Sequence, residues 1–285
     1  MALPSLNSKL RVSMNKIILC IALLLCQLQA IGQSQSRYDC LYEYTVKASN
    51  GNREVYSTIL QIGSTSALFS DYLAFQLDSL RQTKSPDEQI KMGEARLRKS
   101  AYFFDQTVFQ NTPKGKLSVY STIIPNHYTY QEDKVNMVWE IDDSSTDTIS
   151  GYLCRKATAE YGGRSWVAWY APDIPLQFGP WKFTSLPGLI LKVYDSEQVH
   201  CFEAIQLRKA NLNIVEPQYG DVISTTRTKF LKAKNSFEEN PMANLPPESI
   251  ADMVVIKGES GGSSILINGM QLRLRENGYI PIEKE

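Results

Sequence analysis

The run Gly258-Glu259-Ser260-Gly261-Gly262 has the make-up of a nucleophile loop, and His200-Cys201 brings an imidazole into the same half of the chain. Serine catalysis needs a histidine base, a carboxylate that orients it and an oxyanion loop, all held together by the fold. His200 and Ser260 stand only 60 residues apart, too few for a two-barrel architecture between them. Glycine and serine in a surface loop account for the run. A metal centre has little to build on. The chain has His127, His200 and few cysteines, none in the CxxC or HxxxH spacing that preforms a site. No metal and no cofactor is expected. Asp142, Asp143 and Asp147 share a stretch with serines and threonines, which is turn chemistry. Asp173 and Asp195 remain the carboxylates that a hydrolase could use with a nearby tyrosine, or that could serve as polar anchors.

The aromatic residues are the stronger signal. Trp166, Trp169, Tyr170, Phe178, Trp181 and Phe183 fall within eighteen residues. They either supply the core of a β domain or line a concave apolar surface for a lipid, a peptide or a partner protein. Alternation sends Trp166 and Ala168 to one side of a strand and Val167 and Trp169 to the other, so both sides carry bulk.

The elements that must position these side chains are mostly strands. Tyr38–Lys47 alternates and is followed, across Asn50-Gly51-Asn52, by a second strand to Ile62, which predicts a hairpin. Asp71 to Gln82 changes to a helical period through Tyr72, Phe75, Leu77 and Leu80. Ser85-Pro86-Asp87-Glu88 is a capping box opening a helix to about Arg98. From Gln106 the pattern is β, with Asp142 to Asp147 read as a loop and Thr148–Glu160 and Arg164–Tyr170 as a hairpin over Gly162-Gly163. Leu189–Tyr194 pairs with Val199–Leu207. A helix from Ser224 to Glu239 starts on Thr225 or Thr226, its basic residues on a solvated face, and Ile265–Leu274 reads as a last strand. The expected fold is α+β: a curved, mostly antiparallel sheet shaped as a half-barrel or bowl, with two or three helices, in one domain over residues 33–285.

Residues 1–32 read as a signal peptide. Lys9, Arg11 and Lys16 precede the apolar run Ile17–Leu25, and Ala30-Ile31-Gly32 offers small residues for cleavage. Met1 or Met14 serves as the start. The apolar run is shorter than the roughly twenty residues that span a bilayer, so no transmembrane segment is expected in the mature chain. Lipid attachment at Cys20 or Cys26 is the lesser alternative, because Leu19 and Leu25 stand where a small residue is wanted. Beyond residue 32 the acidic residues outnumber the basic by three, which leaves no basic footprint for nucleic acid. Cys40, Cys154 and Cys201 allow three pairings, of which Cys154–Cys201 is favoured because both lie in neighbouring strand-like runs.

Gly179-Pro180-Trp181-Lys182-Phe183 and Leu186-Pro187-Gly188-Leu189-Ile190 resemble the GLPGLI family of secreted, envelope-associated proteins of Gram-negative bacteria. Gly151–Ala157, Trp169–Pro175 and the ending Ile280-Pro281-Ile282-Glu283 are similar as well. Ser185 stands where the family's first name-giving glycine would be. The resemblance implies no catalytic residue or cofactor; it implies a companion of an outer-membrane transport system. Together with the N-terminal segment and the aromatic cluster, this leads to the expectation of an exported binding protein, periplasmic or bound to the outer membrane, with Trp166, Trp169, Tyr170, Trp181 and Phe183 as its binding surface. A hydrolase using Asp173 or Asp195, or a purely structural envelope module, are the alternatives.

Overall fold

Fifteen strands and three helices are present in the computed structural model among the described residues, which are 35–285 without 50, 82–84, 86, 89–90, 92–102, 135–136, 218, 249–252, 258–262, 268–269, 274–277 and 285. Twelve strands make one open sheet in the order β12-β6-β5-β4-β3-β2-β1-β11-β10-β9-β8-β7. They are β1 Tyr38–Lys47, β2 Arg53–Ile62, β3 Ala67–Asp71, β4 Thr107–Gln110, β5 Lys116–Ile123, β6 Asn126–Asp133, β7 Glu140–Ile149, β8 Tyr152–Tyr161, β9 Arg164–Ala171, β10 Leu189–Asp195, β11 His200–Lys209 and β12 Val222–Ser224. The joins are antiparallel except β12 on β6, which is parallel. A separate three-stranded sheet follows, β13 Met253–Lys257, β14 Ser263–Ile267 and β15 Met270–Leu272. The helices are α1 Tyr72–Arg81, α2 Arg227–Glu239 and α3 Pro241–Asn244. The α+β expectation is met, and the large sheet does not close into a barrel.

Alternation decides what the sheet covers. Tyr42, Tyr44 and Val46 of β1 are buried while Thr45 and Lys47 lie on the opposite face. The buried face continues through Phe202 of β11 and Trp166, Ala168 and Tyr170 of β9. Helix α2 packs on β6 and β5, with Phe230 5.3 Å from the Tyr130 ring. The turns follow their residues. Gly162 and Gly163 both take positive φ, 60° and 74°, the two-residue geometry that suits the twist of a tight hairpin.

The caps are built as the side chains allow. The Asp71 carboxylate ends β3 and accepts from the Leu73 and Ala74 N–H groups at 2.8 and 3.1 Å, and from Phe104 N–H at 2.9 Å. Burial pushes its pKa up to about 6, against the pull of those three donors. Thr226 caps α2 by accepting from Lys229 N–H. Ser85 donates its N–H and its hydroxyl to the Glu88 carboxylate at 3.3 and 3.2 Å, which is the glutamate half of the expected capping box; most of the helix expected beyond it lies outside the described residues.

Three expectations are corrected. Asp142–Asp147 is part of strand β7, bulged between Asp142 and Thr146, and the turn falls at Ser150-Gly151. The serines still do turn chemistry there: Ser144 and Ser145 donate to Asp142 at 2.6 Å and lower its pKa to about 2. A polar, bulged edge strand suits the rim of an open sheet. The basic face of α2 is not wholly solvated, since Lys234 is buried against Asp105. The last strand is two, β14 and β15. Gln35–Glu285 forms one unit by its internal contacts. No helix among the described residues is long and apolar enough to cross a membrane.

Candidate functional site

The aromatic block turns inward. Trp166, Tyr170, Trp181 and Phe183 are at most 2% exposed, with Trp166 and Trp181 rings 4.7 and 5.3 Å from that of Phe183. Both indole N–H groups find acceptors, Trp166 on the Tyr161 carbonyl at 2.9 Å and Trp181 on Gln106 at 2.7 Å. Satisfied donors and full burial are the state of core aromatics. The bowl expected around these four rings is filled by them, which corrects their reading as a binding surface. Trp169 is the exception. It points to the other face of β9 and is half-buried.

The motif residues explain how the block is folded so tightly. A Cβ on Gly188 would lie 2.2 Å from the Ala171 carbonyl oxygen, and one on Gly179 2.7 Å from Ile190 Cβ. Both glycines are therefore demanded by close approach. Pro180, Leu186, Pro187, Leu189 and Ile190 carry the chain between these points into β10, where the Ile190 carbonyl accepts from Tyr42 OH at 2.7 Å. Gln110 Nε2 donates to the Gly179 and Trp181 carbonyls, each at 2.7 Å. Ser185 has φ +76°, the left-handed region where a side chain costs about 1–2 kcal/mol. Replacing it with glycine removes that strain and adds some unfolded-state entropy. Ser185→Gly is expected to stabilise the protein by about 0.5–1 kcal/mol, read from the urea midpoint at unchanged slope.

A buried ionic cluster sits behind the block. Lys182 Nζ is 2.7 Å from Glu132 and 2.9 Å from Glu283, and donates to Tyr130 OH at 3.0 Å. Arg227 reaches Glu283 at 2.8 Å, and Tyr161 OH donates to Glu132 at 2.6 Å. Burial pulls the Lys182 pKa down, but Glu283 and its neighbours hold it well above the ordinary lysine value. Two cations face two carboxylates, so the cluster is neutral as a whole. Sequence reasoning missed it, although a lysine between Trp181 and Phe183 in so apolar a run was the available signal.

Asp195 is likewise spent on structure. One oxygen pairs with Arg164 at 2.8 Å and the other accepts from Val199 and His200 N–H, both at 2.8 Å. Arg164 also donates to the Ile282 and Pro281 carbonyls at 3.0 and 2.8 Å. His200 is a core histidine, hydrogen-bonded through Nδ1 to Tyr44 OH at 2.7 Å, and burial lowers its pKa to about 3. Asp173 is exposed in the turn after β9. Cys154 and Cys201 are free thiols, as is Cys40, which corrects the expected bridge. β9 and β10 lie between their strands, about 14 Å at the usual strand spacing, whereas a disulfide needs Cα atoms within about 7 Å. Burial pushes Cys201 up to about 11. Gly258–Gly262 lies outside the described residues, and no cluster of metal-ligating side chains occurs among those described.

Residues 162–192 match the family described as a protein of unknown function (Porph_ging). The match covers β9, the aromatic block and the start of β10, so it supports a resemblance at the level of a family without assigned function. No curated protein matches the chain significantly. Two crystal forms of PNGF-II are similar at 14% identity, with TM-scores of 0.46 and 0.47 over 71% and 72% of this chain. The chain spans 34% of the length of either. A likeness at that level carries no argument about activity.

A groove of about 610 Å³ crosses the outer face of the sheet. Thr45, Lys47, Arg53, Lys192, Tyr194 and Trp169 line it, with Asp147, Gln198 and Cys201. Of the strands that line it, β2, β1, β11, β10 and β9 are interior to the sheet and paired on both sides, whereas β7, which supplies Asp147, is an edge. Trp169 is thus the residue of the aromatic set that meets solvent in a concavity.

Proposed function

We propose that this chain is an exported envelope protein that binds rather than converts its ligand, and that the ligand seats in the outer-face groove against Trp169. The observation that carries this reading is that groove: a half-exposed indole and the Tyr194 phenol set among cationic and amide side chains. Such a mixture of flat apolar surface and a few polar groups is what small-ligand sites are made of. The signal-peptide pattern of residues 1–32, basic residues ahead of an apolar run, supports export. The family resemblance supports a role beside an outer-membrane transport system, whose transporter, a peptide or a lipid would be the partner. A hydrolase is the weaker reading, because Asp195 has both oxygens engaged in the fold and Asp173 is not part of the groove's lining.

The test compares wild type with Trp169→Ala, both immobilised as mature chains and exposed to detergent-solubilised envelope. Mass spectrometry should find a component retained by wild type and reduced at least tenfold by the substitution. Equal retention by the two proteins would sink the groove as the seat. Recovery of the native protein with the cytoplasmic fraction would sink export.

A further inference from the structure

The register of the outer face narrows the chemistry of that groove. Trp169 lies directly opposite Lys192 on β10 and directly opposite Lys156 on β8. Directly opposed residues have Cβ atoms about 5 Å apart, so the indole is bracketed by a lysine on each neighbouring strand. Tyr194 stands two residues along β10 from Lys192, on the same face, opposite Val167 and Cys201. Toward β1 and β2 the groove ends at Lys47 and Arg53, which are themselves register partners. Lys192 is paired with Glu203 at 2.8 Å, and Arg53 with Glu43 at 3.5 Å. Among the described residues, neither Lys47 nor Lys156 forms a salt bridge, although Asp142 on β7 is the register partner of Lys156. The lining itself carries Lys47, Arg53 and Lys192 against Asp147 alone.

We propose that the groove recognises an acidic oligosaccharide, its rings stacked on Trp169 and Tyr194 and its anionic groups held by Lys47, Lys192 and Arg53 of the lining and by Lys156 beside Trp169 at its margin. This rests on the reading of the groove as the ligand seat. A pyranose ring has a flat C–H face that packs on an aromatic ring, and a rim of hydroxyls that Thr45 and Gln198 can bond. Cations on both sides of the indole match carboxylate or sulfate groups at that rim. The other occupants fit less well. A peptide could add a strand only at the β7 edge, two strands away from Trp169, since β9, β10, β11 and β1 are paired on both sides. An acyl chain would strip water from Lys47 and Lys156 without giving them a partner.

Titration calorimetry on the mature chain tests this with a hexamer of galacturonate, its methyl ester and a sulfated glycosaminoglycan hexamer. At least one anionic hexamer should bind, and the neutral ester should bind at least tenfold more weakly than the galacturonate if that is the one bound. Trp169→Ala should weaken binding at least tenfold. Lys47→Gln with Lys156→Gln should weaken it severalfold and flatten its dependence on salt, because released surface charge is what salt screens. No binding of either anionic hexamer, binding indifferent to Trp169→Ala, or tighter binding of a hexathymidylate would overturn the proposal. If an envelope component is still lost with Trp169→Ala while both hexamers fail, the saccharide assignment falls and the groove as a seat stands. If neither shows any dependence on Trp169, the groove itself falls.

Discussion

Gly188→Ala is expected to prevent stable folding. Its added methyl carbon would sit 2.2 Å from the Ala171 carbonyl oxygen and 2.7 Å from the Ala171 carbonyl carbon. Both are backbone atoms, and Ala171 is fixed by its pairing with Leu189 across β9 and β10, so neither side can yield by a rotamer change. The strands would have to part at the place where the buried segment 178–190 returns to the sheet. That segment carries Trp181, Phe183, Leu186 and Leu189, all buried, each contributing on the order of 2 kcal/mol by its burial. A loss of more than about 4 kcal/mol follows, in the range that separates backbone clashes from ordinary substitutions. Circular dichroism and urea unfolding of the purified variant would read it. Gly220 provides the control, because nothing lies within 4 Å of its would-be Cβ. Gly220→Ala should change stability by less than about 0.5 kcal/mol. A folded Gly188→Ala protein with a normal midpoint would show that the approach of the two strands is not obligatory.

Lys182→Met should cost about 3–5 kcal/mol, the range for removing one member of a buried ion pair. Methionine fills the stem of the lysine, so the loss is electrostatic rather than a cavity. Glu132 and Glu283, each at most 5% exposed in their side chains, would then share only Arg227, which is itself 26% exposed. One buried negative charge would be left over. The second substitution Glu283→Gln removes that surplus, so Lys182→Met with Glu283→Gln should be more stable than Lys182→Met alone. The C-terminal segment provides a separate readout. Glu283 anchors it through Lys182 and Arg227, Lys284 N–H reaches the Gly162 carbonyl at 2.8 Å, and Arg164 holds the Pro281 and Ile282 carbonyls. Lys182→Met should therefore speed carboxypeptidase release of the last residues before global unfolding. Simple additivity of the two substitutions would show that Lys182 and Glu283 are not coupled.

Much of the architecture was legible from local pattern. The β1–β2 and β10–β11 hairpins, the Gly162-Gly163 turn and the Thr226 cap of α2 all follow from period, glycine placement and a capping hydroxyl. Those signals act over a few residues, which is why they can be read in one dimension. The misreadings share the opposite character. Asp142–Asp147 has the composition of a loop, yet it pairs with β8 and becomes a bulged edge strand, because pairing depends on the neighbour as much as on propensity. Cys154 and Cys201 are close in strand pattern and apart in strand order, which no spacing along the chain discloses.

The candidate site divides the same way. Alternation alone assigned Trp166 and Trp169 to opposite faces, and it marked the segment as one that packs tightly. Which face would be closed was a tertiary decision, made by segment 178–190 folding back to bury Trp166 while the face bearing Trp169 stays uncovered. The Lys182 cluster joins β6, the aromatic segment, α2 and the C-terminus, and the groove joins residues from β2 to β7, so only the assembled sheet brings either together. Sequence by itself determined the strand-rich class and the tight turns marked by glycine, such as Gly162-Gly163, because these are local backbone requirements. The tertiary structure decided which aromatic meets solvent and which charges meet each other, because burial and pairing are properties of the neighbours that folding supplies.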